Sequence, residues 1–139
     1  MSQENVCRTA QAILDALDSP EAELSLLIVD DRRIAELNRQ YLQREGPTNV
    51  IAFPMREGET SQPPTPLLGD VVISAETAQR EAFEADMDVS LRFAQLLVHG
   101  ILHLFGYDHE SGGAEALEMD ARSHELLNRI GDRVQDLTD

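Results

Sequence analysis

His99-Gly100-Ile101-Leu102-His103-Leu104-Phe105-Gly106-Tyr107-Asp108-His109 holds three of the chain's four histidines, separated by three and then five residues. On a helix, His99 and His103 stand one turn apart and leave from the same face. Two imidazoles so placed can converge on one ion, at about 2.0–2.1 Å each. His109 cannot join them by helix continuation, because six more residues would carry it about 9 Å along the axis. The helix must stop and the chain fold back, and Gly106 stands where glycine's left-handed conformation can end it. The stretch therefore predicts two helix-borne metal ligands, His99 and His103, a turn at Gly106, and a third ligand, His109. A fourth position is left open.

Working outward, the helix predicted from Asp88 or Ser90 to Phe105 has Leu91, Phe93, Leu96, Leu97, Val98, Ile101, Leu102 and Leu104 spread over nearly its whole circumference. A helix apolar all round is a central, buried one. Before it, Gly69–Ser74 reads as a strand, with Ser74 as N-cap of a helix through about Ala85. Asn49–Phe53 reads as another strand, stopped by Pro54 and preceded by a Gly46-Pro47 turn. Between the two strands, residues 56–66 contain three prolines and no periodicity, the mark of an exposed loop. Nearer the N-terminus, an amphipathic helix is expected from about Asn5 to Leu17, ended by Ser19-Pro20. The apolar run Glu23–Val29 is expected as a buried strand, and Asp30 or Asp31 as the cap of a helix to about Tyr41. Past the histidines, a Gly112-Gly113 break leads to a helix from Ala114 to Ile130, ended by Gly131. The order is α-β-α-β-β-α-α-α. It predicts an α+β fold: a small mixed β-sheet flanked by helices, with the two histidines on a central buried helix, all in one domain over 1–139.

Composition limits the function classes. At 139 residues, with 42% hydrophobic and 27% charged, the chain has the make-up of a soluble globular domain. No apolar run approaches the roughly 18–20 residues of a membrane helix, and the N-terminus lacks a secretory pattern. The single cysteine, Cys7, permits no internal disulfide and is expected to be a half-buried small side chain; a reducing cytoplasm fits. The net charge of −15 argues against indiscriminate phosphate binding over the whole surface. The eleven basic residues are all arginines, and Arg32, Arg33, Arg39, Arg44 and Arg56 face only Glu36 and Glu45 within that segment. An anionic ligand is expected there, although a solvated helix face would read the same way.

A histidine on an apolar helix is commonly a core side chain with one hydrogen bond. Two on one face, with a third just past a glycine break, favour a metal site, because each buried ring nitrogen needs a partner. Neutral imidazole suits one Zn²⁺ per chain, and three protein ligands plus water is the catalytic pattern. Asp108 and Asp70 are candidates for orienting an imidazole or the water, and each could equally be a turn or strand-end aspartate. The spacing matches the metzincin proteases, His-Glu-x-x-His-x-x-Gly-x-x-His, but Gly100 stands where they carry their glutamate base. Glycine cannot move a proton, so peptide hydrolysis is disfavoured. Glycine also lets backbone or substrate approach the ion. His124, the remaining histidine, reads as a surface residue, and Met119 as core.

From His99 to His109 the chain matches His-Gly-x-Leu-His-Leu-x-Gly-Tyr-Asp-His at every specified position. Asn38-x-x-Tyr41, Pro47-Thr48-Asn49-Val50, Phe53-Pro54, Leu68-Gly69-Asp70, Val72, Ser74 and Met119 accompany it in order. In these elements, over roughly Leu37 to Leu127, the chain resembles the YbeY family of bacterial metal-dependent endoribonucleases. The resemblance implies zinc on His99, His103 and His109, single-stranded RNA as substrate, and a ribosomal setting. The implied roles are maturation of the 3′ end of 16S ribosomal RNA and ribosome quality control, with no role for DNA or membranes.

Two positions depart from the family pattern. Relatives follow the tyrosine of Asn-x-x-Tyr with an arginine expected to bind phosphate, whereas Tyr41 is followed by Leu42. Leucine offers a phosphate no donor, so Arg44, or Arg39, is expected to take that catalytic and binding role, alongside Thr48 and Asn49. Ala52 also replaces the serine usual before the phenylalanine. The Leu42 departure keeps a second expectation open: a catalytically weak or inactive ribosome-associated RNA-binding module with a structural metal. A metalloprotease is the third.

Overall fold

Side-chain caps decide where the first three helices begin. Ser2 accepts from the Asn5 backbone N–H to open α1 (Gln3–Ala16), and Asp30 accepts from Arg33 N–H at 2.8 Å to open α2 (Asp31–Leu42). Ser74 does the same for Thr77 at the start of α3 (Ala75–Glu84). Each bond satisfies a first-turn N–H that has no partner within its helix. The next helix, α4 (Val89–Leu104), begins at Asp88 without a side-chain cap bond. Burial holds it instead: Phe93, Ala94, Leu97, Val98, Ile101 and Leu102 are all fully buried. It is the central helix that its sequence predicted.

The computed structural model of the chain describes residues 2–55, 67–107, 113–134 and 137. The loop expected at 56–66 and Gly112 of the glycine break lie outside them. Gly113 opens α5 (Gly113–Arg129), and a short α6 (Gly131–Val134), not expected from sequence, follows. No helix among the described residues is long and apolar enough to cross a membrane.

Three strands form one sheet: β1 (Glu23–Val29), β2 (Val50–Pro54) and β3 (Leu67–Ser74). Their order is β1-β3-β2, with β1 parallel and β2 antiparallel to β3, so the sheet is mixed as expected. The expectation of a buried β1 is corrected. Only β3 is central, and on β1 Leu27 and Ile28 remain 41% and 43% exposed. An apolar run does not say whether a strand will lie at the centre or the edge of a sheet. Cys7 is likewise exposed rather than half-buried.

The period-two alternation of β3 divides the core. Val71 and Ile73 join the larger cluster with α1, α4 and α5, while Val72 meets Ile34 of α2 and Ile51 of β2. Helix α2 thus covers one face of the sheet, and α4 the other, with α1, α3 and α5 around it. This is the α+β architecture expected, and it sets the polar stripe of α4 beside the edge strand β2.

Candidate active site

At 100° per residue, positions 92, 99 and 103 of a helix fall within about 40° of one another. Arg92, His99 and His103 therefore share a stripe of α4, the one part of that helix not given over to the core. The two histidines are half-buried, with Nε2 atoms 3.1 Å apart and rings meeting edge to face at 72°. Two nitrogens bound to one tetrahedral zinc would lie about 3.3 Å apart. The pair is therefore spaced so that both rings could hold a single ion, and neutral imidazoles are the donors zinc accepts. Among the described residues no third histidine, cysteine or carboxylate completes a cluster. His109 and Asp108 lie outside the described residues.

The turn after His103 is the one its glycine predicted. Gly106 takes φ +97°, the Gly106 N–H donates to His103 O at 3.0 Å, and the Tyr107 N–H donates to Leu102 O at 3.1 Å. These are the two bonds of a Schellman motif, which ends a helix and turns the chain away from its axis. Gly100 has a different reason from the one expected. A Cβ there would meet Val71 Cγ1 at 2.7 Å and Val50 Cγ2 at 3.2 Å, so the close approach it allows is that of the sheet.

The histidine stripe forms one wall of a cleft of about 720 Å³. From α4 come Arg92, Gln95, His99 and His103; from the end of α2 and the loop after it come Leu42, Arg44, Thr48 and Asn49. The edge of β2 supplies Val50, Ile51 and Ala52, and α5 supplies Ser123, His124 and Leu127. The chain has 26 aspartates and glutamates, yet none lines this cleft among the described residues. In a protein of net charge −15, a lining of arginines, histidines and neutral groups suits an anion.

Of the arginines expected to meet that anion, the structure brings only Arg44 to the cleft. Arg39 is exposed on α2 and does not line it, Arg33 pairs with Glu36 at 3.2 Å, and Arg56 lies outside the described residues. Thr48 and Asn49 are in the wall as expected. Asp70 is not. It alternates with Val71 along β3 and shares the α2 side of the sheet with Val72, away from α4.

Buried Asn38 fixes the loop that bears Arg44. Its Nδ2 donates to Gly46 O at 2.9 Å, and its own carbonyl accepts from the Arg44 N–H at 3.2 Å, past the left-handed Gln43. Tyr41 packs edge-on against Phe53, with centroids 5.5 Å apart, tying α2 to β2. Asn49 Nδ2 donates to both oxygens of Glu81 at 3.2 Å, and Glu81 in turn accepts from Arg92 Nε at 3.0 Å.

Arg92, Gln95 and Glu81 were missed by sequence reasoning. The signal was available, since Arg92 precedes His99 by seven residues, two helical turns. His124 is exposed, as expected, but on the cleft wall. Its Nδ1 lies 2.9 Å from Asp120 O. A carbonyl can only accept, so Nδ1 carries the hydrogen and, in the neutral ring, Nε2 carries the lone pair.

The chain matches the profile of the family described as Endoribonuclease YbeY over residues 1–131. The Endoribonuclease YbeY of Syntrophotalea carbinolica is 55% identical over 128 residues, covering 91% of this chain and 85% of that protein. That of Geobacter metallireducens is 50% identical over 121 residues, covering 86% and 81%. That of Aquifex aeolicus is 39% identical over 128 residues, covering 92% and 83%. Among solved structures, the solution structure of TM1509 from Thermotoga maritima superposes with a TM-score of 0.67, covering 98% of this chain and 88% of that one. At 22% sequence identity that likeness speaks for the fold alone.

Proposed function

The chain belongs to the Endoribonuclease YbeY family, and from that premise and the chemistry of the cleft we propose that it is a zinc-dependent endoribonuclease acting on single-stranded RNA. The observation that carries this reading is the lining: in a chain with 26 acidic residues, the described residues that line the cleft beside the His99–His103 pair include arginines and no carboxylate. A phosphodiester is an anion that becomes more strongly so as it is attacked, and fixed cations favour that change.

His99 and His103, with His109 from the sequence spacing, would hold one zinc. The bound ion supplies Lewis acidity toward a phosphoryl oxygen and a water whose pKa falls to about 7. Arg44 donates N–H groups to phosphate, and Thr48 adds a hydroxyl donor beside it. Asn49 is best described as a positioning residue, because its amide is spent on Glu81. The restriction to single strands is what the family resemblance implies; a local cleft, unlike the long face on which a duplex is recognised, is compatible with it. The proposed setting is the cytoplasm, the RNA is ribosomal, including the 3′ end of 16S, and the partners are the ribosome or its proteins.

The test is to purify the protein, measure bound metal, and follow cleavage of a single-stranded RNA and of casein, with His103→Ala and Arg44→Ala alongside. RNA cleavage that disappears in His103→Ala supports the reading. Leu42 in the cleft wall favours a second one, an RNA-binding module with a structural metal, because leucine cannot contact phosphate through a hydrogen bond. Bound metal with no RNA cleavage under any metal condition would establish that second reading. Casein cleavage without RNA cleavage would point to a protease.

A further inference from the structure

Arg92 lines the cleft two turns before His99, about 10.5 Å along the same stripe of α4. Its guanidinium is held on one side by Glu81, with Nε at 3.0 Å and Nη2 at 2.9 Å from the same carboxylate oxygen. On the other side Nη1 donates to Gln95 Oε1 at 2.8 Å. Glu81 is fixed in turn by the Asn49 amide, so the loop before β2, α3 and α4 all contribute to placing this one cation.

We propose that Arg92 is a phosphate-binding residue of the cleft, positioned by Glu81 and Gln95 to hold the RNA strand beside the histidine pair. The proposal rests on the reading of the cleft as an RNA site. A guanidinium has five N–H donors, and among the described residues Glu81 and Gln95 engage one on each of its three nitrogens, which leaves one N–H on Nη1 and one on Nη2 for an anion. Donors held in a fixed plane suit the oxygens of a phosphate. The side chain is 25% exposed, enough to be reached and little enough to stay ordered. Its distance from His99 assigns it a phosphate neighbouring the scissile one, so it acts on binding more than on the chemical step. Glu81 does two things at once: it orients the guanidinium and offsets part of its charge.

The double role of Glu81 gives a test that a merely structural ion pair would fail. Zinc-loaded wild type, Arg92→Gln, Arg92→Lys and Glu81→Gln are compared for binding of a labelled 2′-O-methyl single-stranded RNA over a KCl series. Unfolding midpoints and steady-state cleavage of unmodified RNA are measured on the same preparations.

Arg92→Gln is expected to bind roughly tenfold more weakly. The slope of log K against log salt should fall by about 0.7, the value for one phosphate contact on a single strand. KM should rise more than kcat falls. Arg92→Lys keeps the charge and loses the fork, so it should retain the slope while losing affinity; it also covers the case in which the glutamine variant folds poorly. Glu81→Gln keeps an acceptor for Arg92 and removes the offsetting charge, so it should bind at least as tightly as wild type.

Equal loss of binding in Arg92→Gln and Glu81→Gln would overturn the proposal, as would an unchanged salt slope in Arg92→Gln when wild type binds RNA. Failure of the wild type itself to bind would overturn the reading of the cleft, and the proposal with it.

Discussion

Gly100 lies so close beneath Val71 that a Cβ on it would stand 2.7 Å from Val71 Cγ1. That separation is shorter than any van der Waals contact, and Val71 is fully buried on the central strand with nowhere to turn. The residue next to His99 is therefore glycine because the sheet occupies the space a side chain would need. The contact sets how near α4 rides to β3 and β2, and so where the histidine stripe meets the edge of the sheet. Gly100→Ala is expected to destabilise the protein by about 1–3 kcal/mol through overpacking. Val71→Ala added to it should restore part of that loss, with a coupling of about 1 kcal/mol or more between the two sites. Urea unfolding of the two single variants and the double variant measures it, and simple additivity would show that the contact is not what excludes the side chain.

Gly106 tests a different property of glycine. No atom of the described residues lies within 4 Å of the place its Cβ would occupy, and among them it is its φ of +97° that demands glycine. Gly106→Ala should cost about 1 kcal/mol in the metal-free protein, the conformational penalty alone. In the zinc-loaded protein the cost should be larger, since the turn it makes directs the chain toward His109. Equal costs in the two states would mean that the Schellman turn ends the helix without contributing to the metal site.

The elements were legible where local chemistry decides them. Ser74 and Asp30 are caps by residue type, Gly106 is a stop by conformation, and the all-round apolarity of α4 foretold its burial. What failed depends on relationships between segments. Whether Glu23–Val29 lies at the centre or the edge of the sheet is decided by strand order, which no single strand encodes. Asp70 is by residue type a candidate for orienting an imidazole or the water, yet strand alternation places it on the α2 side. The arginine-rich segment does not act as one patch: helix α2 turns Arg39 away, and of the segment's described arginines Arg44 lines the cleft. Arg92 carries no motif of its own; it belongs to the site because the stripe that the histidines define continues two turns toward the N-terminus of α4.

The zinc proposal can be separated from catalysis by a stability measurement. A ligand that binds only the folded state stabilises it by about 2.7 kcal/mol when present at 100 times its dissociation constant. Wild type should gain a clear rise in unfolding midpoint on addition of zinc and lose it on chelation. His103→Ala removes one of the two nitrogens that stand 3.1 Å apart and should abolish that rise, with little change in the metal-free midpoint. A rise that survives in His103→Ala would place the ion elsewhere.

Asp31 makes stability depend on pH far from the cleft. Its Oδ1 accepts from Ser74 Oγ at 2.6 Å and Thr77 Oγ1 at 2.5 Å, and Arg80 stands 3.1 Å from Oδ2. These bonds, led by that from Ser74, favour the ionised carboxylate and hold its pKa below the ordinary aspartate value. An unfolded aspartate titrates near 3.9, so the folded protein releases this proton at a lower pH than the unfolded chain. The contribution is therefore fully present above about pH 4–5 and is lost as pH falls through the depressed folded value. Asp31→Asn replaces a charged acceptor by a neutral one and should cost up to about 1.5–3 kcal/mol at pH 7, the range for a hydrogen bond to a charged group. The gap between the urea midpoints of wild type and variant should narrow below about pH 4 as the wild-type carboxylate takes up its proton. Parallel curves from pH 7 down to acid unfolding would show that the Ser74–Thr77–Arg80 cluster does not distinguish the carboxylate from its neutral isostere.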